Sequence, residues 1–230
     1  MPGYILLEGG AEFGGKMAAP DKRAMELAGG ANALIGIIPA AAAPDNNDRR
    51  AGENGRRWFR SLGAKQVTVL ALTDRASADA QRIVEALRQC RLIYMLGGFP
   101  HYLGQTLAGS RSWQAMLEAF EAGAVVGGSS AGAMVLCEFY FNPETRMVER
   151  GLNLIPGACL IPHYDTMGGR WIAQLEAALP QASLIGIDEQ TGLVSEGAPG
   201  QWKVHGKGRV TLHRNGAQAV YLPGETFSFP

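Results

Sequence analysis

Short apolar runs rich in β-branched residues recur along the chain, and several of them end in glycine. Runs of this kind, bounded by turn residues, are typical of strands that are buried in a sheet. They predict strands at residues 4–7, 33–38, 66–72, 92–96, 124–126, 158–161 and 184–187.

The longer stretches between these runs have the character of helices. They predict helices at residues 47–62, 77–89, 112–122, 131–139 and 170–178. In the second of these, Ile83, Val84 and Leu87 share one face, and Ser77 is placed to cap the first turn. Because strands and helices alternate, we predict an α/β fold, a three-layer sandwich in which helices cover both faces of a mainly parallel sheet.

The last part of the chain has a different pattern. Residues 201–213 and 217–229 carry short alternating runs interrupted by glycines, which predicts antiparallel strands or hairpins at one edge of the sheet. In residues 39–50, four alanines lie between two prolines and are followed by an Asp/Asn cluster. This pattern predicts a loop whose alanines are not helical. The sequence has neither an internal repeat nor a linker, so we expect a single domain over residues 1–230.

Composition supports a folded domain and narrows the classes of partner. The chain has 230 residues, of which 47% are hydrophobic, enough for a substantial core. Its 21 basic and 21 acidic side chains cancel, so it lacks the positive charge of a nucleic-acid binder or a polybasic membrane binder. A small, roughly neutral substrate fits this balance better, and a homodimer is compatible with it.

The cysteines and the apolar runs exclude further classes. Cys90, Cys137 and Cys159 are odd in number and widely spaced, which favours buried structural thiols over a disulfide framework or a thiolate metal site. The apolar runs are all shorter than the roughly 20 residues that span a bilayer, and the first ten residues lack the basic segment of a signal peptide. We therefore expect a cytoplasmic protein without a bound metal.

A serine between glycines follows the apolar run near the middle of the chain. The segment from Ala124 to Ala133 is Ala-Val-Val-Gly-Gly-Ser-Ser-Ala-Gly-Ala, a predicted strand that leads through G-x-S-x-G into a predicted helix. Nucleophilic serines lie on such turns, where glycines on both sides avoid clashes and the helix start offers backbone N–H groups and a positive dipole end. This predicts Ser130 as a nucleophile, flanked by Gly128 and Gly132. The alternative is a turn of small residues that only lets helix and strand pack closely.

A second pair of glycines, Gly97 and Gly98, follows the predicted strand at residues 92–96. Ligands of open α/β sheets bind beyond the carboxyl ends of strands, so backbone N–H groups here are expected to face the same crevice as Ser130. The amides of Gly98 and Ala131 are then the candidate donors of an oxyanion hole. Read alone, the glycine pair is also compatible with a simple tight turn.

A base for Ser130 has to emerge at the same end of the sheet. His163 directly follows an apolar strand and meets that condition. His205 and His213 fall in the glycine-rich end region, and His101 comes shortly after the second glycine pair. The sequence therefore favours His163 as the base and His101 as a residue that lines the crevice.

An imidazole base needs a carboxylate that fixes its tautomer. Glu189 follows the buried run at residues 184–187, and Asp188, Asp165 and Glu144 compete with it. Spacing along the chain does not decide among them, because the members of a triad meet in space and occur in different orders in different folds.

These motifs together resemble the family of serine peptidases that includes dipeptidase E and cyanophycinase, whose fold is that of class I glutamine amidotransferases. The similar elements are the turn from Gly128 to Ala133, the segment Ile161-Pro-His-Tyr-Asp165 followed by Arg170, and Ile185-Gly-Ile-Asp-Glu189 followed by Thr191. Their order and spacing cover most of the chain from about Leu92 onward.

The resemblance implies a Ser-His-Glu or Ser-His-Asp triad, an acyl-enzyme mechanism without a cofactor, and cleavage of a peptide or amide bond in a small peptide, as in a dipeptidase or exopeptidase. Carried over by motif, the nucleophile is Ser130, the base is His163 and the third member is Glu189. Some family members have been argued to use an acid shortly after the nucleophile turn, where this chain offers Glu144.

The residues after the second glycine pair depart from the family pattern. Members that prefer an N-terminal aspartate or aspartyl linkages tend to have Asn, Asp or Thr there, whereas this chain has Phe99-Pro-His-Tyr102. An aromatic residue and a proline desolvate a substrate carboxylate without donating to it, so we expect no strict preference for N-terminal aspartate. The candidate substrate-binding residues are Phe99, His101 and Arg170, of which His101 and Arg170 are placed to meet a carboxylate.

Other functions are compatible with parts of the sequence. A non-catalytic or regulatory small-molecule binder can share the fold, but it does not need Ser130, His163 and Glu189 together. A glutamine amidotransferase or related amidase needs a cysteine at the turn, and Cys137 lies two helical turns beyond it. An esterase of the α/β-hydrolase type shares G-x-S-x-G, but its histidine usually follows its acid in the chain.

Overall fold

The computed structural model describes residues 3–198 and 200–229, so the predicted domain of residues 1–230 is described without residues 1, 2, 199 and 230. The strands are β1 (Tyr4–Glu8), β2 (Leu34–Ile38), β3 (Gln66–Val69), β4 (Leu92–Met95), β5 (Val125–Ser129), β6 (Cys137–Asn142), β7 (Met147–Arg150), β8 (Ile155–Ile161), β9 (Ser183–Ile187), β10 (Thr191–Ser195), β11 (Gln201–Gly206), β12 (Val210–Arg214), β13 (Ala217–Tyr221) and β14 (Thr226–Ser228). The α-helices are α1 (Ala18–Leu27), α2 (Asp48–Ser61), α3 (Arg75–Ala78), α4 (Gln81–Gln89), α5 (Pro100–Leu107), α6 (Arg111–Glu121), α7 (Ala131–Met134) and α8 (Ile172–Ala178).

Within the described residues, eight strands form a first sheet in the order β14-β11-β10-β1-β5-β4-β2-β3. The part from β1 to β3 is parallel throughout, because successive strands here are joined by helical crossovers. On the other side of β1, the strands β10, β11 and β14 pair antiparallel. The carboxyl ends of β1, β5 and β4 therefore lie side by side at one end of the sheet.

A second sheet, built from six strands of the described ranges, has the order β13-β12-β9-β8-β6-β7. Its strands β6, β8 and β9 are parallel, while β7, β12 and β13 pair antiparallel at its two sides. Residues 188–190 lead from β9 in this sheet directly into β10 in the first sheet. The two sheets are therefore joined in the chain at the carboxyl end of β9.

Side chains alternate along the strands and so divide the core into layers. On one face of the first sheet, Met25 of α1 and Phe59 of α2 pack with Tyr94. On its other face, α4, α5, α6 and α7 share a core with residues of the second sheet such as Leu160. The outer face of the second sheet packs against Leu175 of α8. Helices cover both faces of the first sheet, and the predicted α/β class is confirmed.

The strands near the C-terminus are antiparallel, as predicted, but they do not lie at one edge of one sheet. β11 and β14 extend the first sheet, whereas β12 and β13 extend the second. An alternating pattern indicates which residues face a core, but it does not indicate which neighbouring strand completes the backbone hydrogen bonds. The division into two sheets therefore could not be predicted from the pattern.

The predicted helix at residues 131–139 is wrong. α7 ends at Met134, and Phe139, Tyr140 and Phe141 belong to β6, which pairs with β7. Consecutive aromatic residues pack well on a pleated sheet and favour a strand. This preference outweighs the helix propensity of the alanines in the preceding turn.

The predicted helix at residues 77–89 consists of two helices, α3 and α4. Ser77 does not cap the second helix, because it lies inside the first, where it completes a capping box with Asp74. The helix α4 begins at Gln81 and buries its apolar face as predicted.

Some short helical segments are not predicted by the sequence patterns. Ala40–Ala42 forms a 3-10 turn within the predicted loop, so its alanines are partly helical. α1 and α5 are also missed, and α5 begins at Pro100, where the lack of an N–H group costs no hydrogen bond. None of the helices in residues 3–198 and 200–229 has the length and apolar content needed to span a bilayer.

Candidate active site

Ser130 lies on a strained turn between β5 and α7. Its backbone has φ 48° and ψ −114°, a conformation that costs on the order of 1–3 kcal/mol for a residue with a side chain. Its amide donates a hydrogen bond to the carbonyl of Glu8 (3.0 Å). The turn is therefore tied to the end of β1, and the serine is the single residue between strand and helix.

Both glycines of this turn are needed because the backbone of Met95, at the end of β4, lies against them. A Cβ atom added at Gly128 would lie 2.4 Å from the carbonyl oxygen of Met95, and one added at Gly132 would lie 2.2 Å from it. These distances are shorter than any van der Waals contact. The two glycines thus let the helix and the strand pack closely, which is the alternative interpretation of the motif. The same close packing holds Ser130 at the turn.

A single helical turn replaces the longer helix expected after the serine. α7 spans only Ala131–Met134, so few peptide dipoles are aligned behind the turn and the expected contribution of a helix dipole is small. The amide of Ala131 is still available, because the first residue of a helix has no intrahelical acceptor for its N–H group.

His163 lies opposite Ser130, two residues beyond the end of β8. Its Nε2 atom is 3.1 Å from the Oγ atom of Ser130, which is within hydrogen-bonding distance. Its backbone has a positive φ of 50°, and its amide donates to the carbonyl of Gly9 (2.7 Å). The side chain is 25% exposed, so the imidazole is open to the cleft while its backbone is anchored.

Glu189 contacts the other nitrogen of this imidazole. Its Oε1 atom is 2.8 Å from Nδ1 of His163, and its own amide donates to Oδ1 of Asp165 (2.9 Å). A carboxylate at Nδ1 keeps the ring proton there and leaves Nε2 able to accept the proton of a serine hydroxyl. Ser130, His163 and Glu189 thus form one continuous chain of hydrogen bonds.

The other acids considered from the sequence do not contact the imidazole. Asp188 is buried, and its Oδ2 atom accepts a hydrogen bond from the backbone amide of Arg209, the residue before β12. Asp165 contacts the backbone of Glu189, and Glu144 lies on the exposed turn between β6 and β7. The geometry therefore selects Glu189 as the carboxylate partner of His163.

Three successive carbonyl groups at the end of β1 each accept an amide from one loop of this site. The pairs are Glu8 with Ser130 (3.0 Å), Gly9 with His163 (2.7 Å) and Gly10 with Gln190 (3.1 Å). Gly10 also packs against the imidazole, since a Cβ atom added there would lie 2.2 Å from Cε1 of His163. Gly9 and Gly10 directly follow an apolar strand, which is the same sequence signal that identified Gly97 and Gly98, but the signal does not show that their carbonyl groups bind the site loops.

The candidate oxyanion donors come from the two loops that border Ser130. Gly97 packs against the serine, because a Cβ atom added at Gly97 would lie 3.4 Å from Cβ of Ser130. The next residue is Gly98. Within the described residues, its amide donates to no hydrogen-bond acceptor. The amides of Gly98 and Ala131 therefore remain the candidate donors of an oxyanion hole.

Comparisons with known proteins bear on this arrangement. The family model for peptidase family S51 matches residues 5–201. The cyanophycinase of Synechococcus elongatus is 30% identical over 225 residues, which cover 91% of this chain and 67% of that relative. The chain belongs to peptidase family S51. The cyanophycinase of Geminocystis herdmanii (strain PCC 6308) is also 30% identical, over 221 residues that cover 90% of this chain and 79% of the relative.

A solved structure agrees with this assignment. The crystal structure of a peptidase from an acI-B1 Actinobacterium superposes with a TM-score of 0.88 at 30% sequence identity, over 100% of this chain and 98% of that one. The likeness therefore extends over both sheets of the S51 fold. The protein is a hydrolase of the peptidase type, and the resemblance inferred from its motifs is confirmed.

In this S51 peptidase the candidate substrate-binding residues have different surroundings. Phe99 is half-buried at the start of α5. His101 binds Glu149 through Nδ1 (2.6 Å), so a carboxylate of the protein itself already holds that nitrogen. Arg170 is exposed in the 3-10 turn Gly168–Trp171, which follows the loop of His163. Among the described residues Arg170 takes part in no ion pair.

Glu12, which no sequence motif singles out, reaches the S51 site from the loop after β1. The Oγ atom of Ser129 donates to Oε2 of Glu12 (3.0 Å), which places the carboxylate beside the nucleophile turn. Residues 12 and 129 are far apart in the chain, so no motif or spacing connects them. Only the folded structure reveals the contact.

Two buried carboxyl groups lie behind this turn, on the α1 and α2 side of the first sheet. Glu8 and Asp21 are both inaccessible to solvent; Tyr94 donates to Glu8, and Nε1 of Trp58 donates to Oδ2 of Asp21 (2.7 Å). Burial raises the pKa of Asp21 to about 7. Burial, with a further contribution from the charge of Asp21, raises the pKa of Glu8 well above its usual range. The pair therefore keeps a proton at pH values where surface carboxyl groups are ionised.

The cysteines offer no alternative nucleophile for cysteine-dependent amidase chemistry. Cys90, Cys137 and Cys159 are free and buried. Burial raises the pKa of Cys90 and of Cys159 to about 12 and also raises the pKa of Cys137. A thiol that stays protonated is a poor nucleophile.

Proposed function

We propose that this S51 peptidase is a serine peptidase that hydrolyses small peptides, as a dipeptidase or exopeptidase, through an acyl-enzyme on Ser130. The observation that carries the proposal is the chain of hydrogen bonds from Ser130 through His163 to Glu189, with distances of 3.1 and 2.8 Å. The backbone strain at Ser130 supports it, because such strain clusters at sites where a side chain must be held in one orientation.

In the first half of the proposed mechanism, Oγ of Ser130 attacks the scissile carbonyl carbon while Nε2 of His163 accepts the hydroxyl proton. Glu189, at Nδ1, stabilises the imidazolium that forms. The amides of Gly98 and Ala131 stabilise the negative charge that develops on the carbonyl oxygen. His163 then donates its proton to the leaving amine, and the acyl group remains esterified to the serine.

Water completes the cycle. Nε2 of His163 accepts a proton from a water molecule as the water oxygen attacks the acyl carbon, and the proton passes to Oγ of Ser130 when the ester bond breaks. The carboxylic acid product leaves, and the hydroxyl group is restored. Every proton transfer passes through His163, so the mechanism needs no cofactor.

The proposal includes a substrate pocket without a strict preference for N-terminal aspartate. Phe99 follows the proposed oxyanion donor directly and offers no donor to a substrate carboxylate. Nδ1 of His101 is held by Glu149, and Arg170 is exposed, where a charge pair contributes little. A buried substrate carboxylate would be weakly paired, and such a carboxylate is costly to bury.

Labelling with a fluorophosphonate probe tests the proposed function. The wild type should be labelled at Ser130, whereas Ser130→Ala should not be labelled and should lose at least about a thousandfold in kcat on a dipeptide. The substitution removes the hydroxyl and changes little packing, so the melting temperature should change little. Ser228→Ala, which alters an exposed serine of β14, is the control and should behave as the wild type. Full peptidase activity in folded Ser130→Ala would overturn the proposal.

A further inference from the structure

Glu12 occupies a position beside the proposed nucleophile that the mechanism does not use. Its Oε2 atom accepts from Oγ of Ser129, the residue directly before Ser130 (3.0 Å). Its Oε1 atom lies next to Gly97, where an added Cβ atom would be 3.1 Å away. Gly97 itself packs against Ser130. One carboxylate therefore borders both loops that frame the nucleophile.

This carboxylate has no positive partner within the part of the chain that the structure describes, where Glu12 takes part in no ion pair. The negative charge of Glu12 contributes to the raised pKa of the buried acids Glu8 and Asp21. A half-buried carboxylate without an ion-pair partner can accept charge-assisted hydrogen bonds from a bound cation. Glu12 therefore has the capacity to bind a cationic group.

Space for a ligand lies next to the carboxylate. Glu12 and Phe13 line a surface cavity of about 730 Å³, together with residues of α2 that include Arg50 and Arg57. This volume is within the range of small-molecule sites. The two arginines are bound to Asn47 and Asn54 (2.8 and 2.5 Å). Glu12 therefore borders both the nucleophile turn and this cavity.

We propose that Glu12 is a specificity-determining residue that binds a cationic group of the peptide substrate beside the acyl group on Ser130. The group is an α-ammonium at the peptide N-terminus or a side-chain ammonium or guanidinium, because each offers N–H donors and a full positive charge to a carboxylate. The inference rests on the proposed serine-peptidase function and adds the charge of the preferred substrate. It also agrees with the proposed lack of a strict preference for aspartate, since a substrate carboxylate would meet a like charge at Glu12.

A purely structural role for Glu12 predicts a different outcome. Glu12→Gln keeps a side-chain oxygen that can accept from Ser129 and removes only the charge. If Glu12 merely holds its loop, this variant keeps its activity on every substrate. If Glu12 binds a cation, the loss is confined to cationic substrates and appears mainly in KM, as expected for an interaction made in both the ground state and the transition state.

The experiment compares kcat and KM of the wild type and Glu12→Gln on peptides that differ in one charge. Ala-Leu against acetyl-Ala-Leu isolates the α-ammonium, acetyl-Arg-Leu against acetyl-norleucyl-Leu isolates the guanidinium, and Asp-Leu adds an opposing charge. We expect the wild type to favour the cationic member of one pair. Glu12→Gln should lose about 10- to 100-fold in kcat/KM on that member only, the range expected of a hydrogen bond to a charged group. Glu121→Gln, an exposed carboxylate at the end of α6, is the control and should match the wild type throughout.

Equal losses on charged and neutral peptides, or no loss on any, would overturn the role of Glu12. A binding measurement keeps this test independent of turnover. Calorimetric titration of the same peptides into Ser130→Ala, and into the variant that carries both Ser130→Ala and Glu12→Gln, should show the same charge-dependent loss of affinity. Identical affinities for the cationic peptide would contradict the inference even if no peptide is cleaved. Failure of the proposed function appears instead as a wild type that is neither labelled by fluorophosphonate nor active.

Discussion

The two sheets of this S51 peptidase contribute different parts of the proposed catalytic machinery. Ser130 follows β5 of the first sheet, whereas His163 and Glu189 follow the neighbouring parallel strands β8 and β9 of the second. The contact between His163 and Glu189 (2.8 Å) therefore belongs to one sheet, while the contact between Ser130 and His163 (3.1 Å) crosses between the sheets. The base and its acid are one unit, and the alignment of the nucleophile depends on how the sheets dock.

Hydrogen bonds at the end of β1 fix the loops of the second sheet relative to the first sheet. The carbonyl groups of Gly9 and Gly10 accept amides from the loops that follow β8 and β9. The lack of a side chain at Gly10 lets the imidazole lie against the backbone. Because orientation of reacting groups can be worth orders of magnitude in rate, small shifts at this junction should affect catalysis more than stability.

Breaking the pair within the second sheet should have the largest effect. Glu189→Gln keeps the size of the side chain but removes the carboxylate that holds the Nδ1 proton, so we expect kcat on a dipeptide to fall by about 10³- to 10⁴-fold. Glu144→Gln, on the exposed turn between β6 and β7, is the matched control and should keep the wild-type kcat. A normal kcat in Glu189→Gln, or a comparable loss in Glu144→Gln, would contradict the choice of acid.

Disturbing the junction between the sheets should have a smaller effect. Gly10→Ala places a Cβ atom 2.2 Å from Cε1 of His163, at a φ of 121° that disfavours any side chain. The imidazole then has to move away from Ser130, and we expect fluorophosphonate labelling to slow by about a hundredfold. Gly14→Ala in the same loop is the control, because a Cβ atom there meets nothing within 4 Å and φ is −167°. Equal labelling rates in the two variants would show that the junction does not control the alignment.

Changing the carboxyl group of Asp21, which is buried on α1 against the first sheet, should affect stability and leave the rate almost unchanged. Burial raises the pKa of Asp21 from 3.8 to about 7, so between these values the folded protein holds a proton that the unfolded chain has released. The stabilisation from this group is complete below about pH 4 and is lost as the pH rises towards 7.

Replacing this carboxyl group removes its titration. Asp21→Asn can still accept a hydrogen bond from Trp58, so its melting temperature should fall less than that of the wild type as the pH rises from about 4 to about 7. Part of the dependence should persist through Glu8, whose pKa is also raised. Thermal melts at a series of pH values measure this, and identical slopes for the two proteins would show that Asp21 does not titrate in this range.

Sequence patterns locate Ser130 and His163 because each directly follows an apolar strand, and the carboxyl ends of parallel strands meet where an α/β fold binds its ligands. The acid could not be chosen in this way. Several carboxyl groups satisfy the same pattern, and the contact with Nδ1 of His163 depends on where β9 lies in space. Gly10 and Glu12 escape prediction for a related reason, since their contacts are with residues far away in the chain.

By itself, the sequence determined the parallel α/β core, the glycine-bounded turn at Ser130 and the membership of family S51. The tertiary structure decided that the strands form two sheets, that α7 is a single turn, and that Glu189 is the partner of His163. Periodicity and turn chemistry are properties of neighbouring residues, so they can be recognised in a linear pattern. Backbone hydrogen bonds between strands and side-chain contacts between sheets join distant residues, and the packing of the whole core selects them.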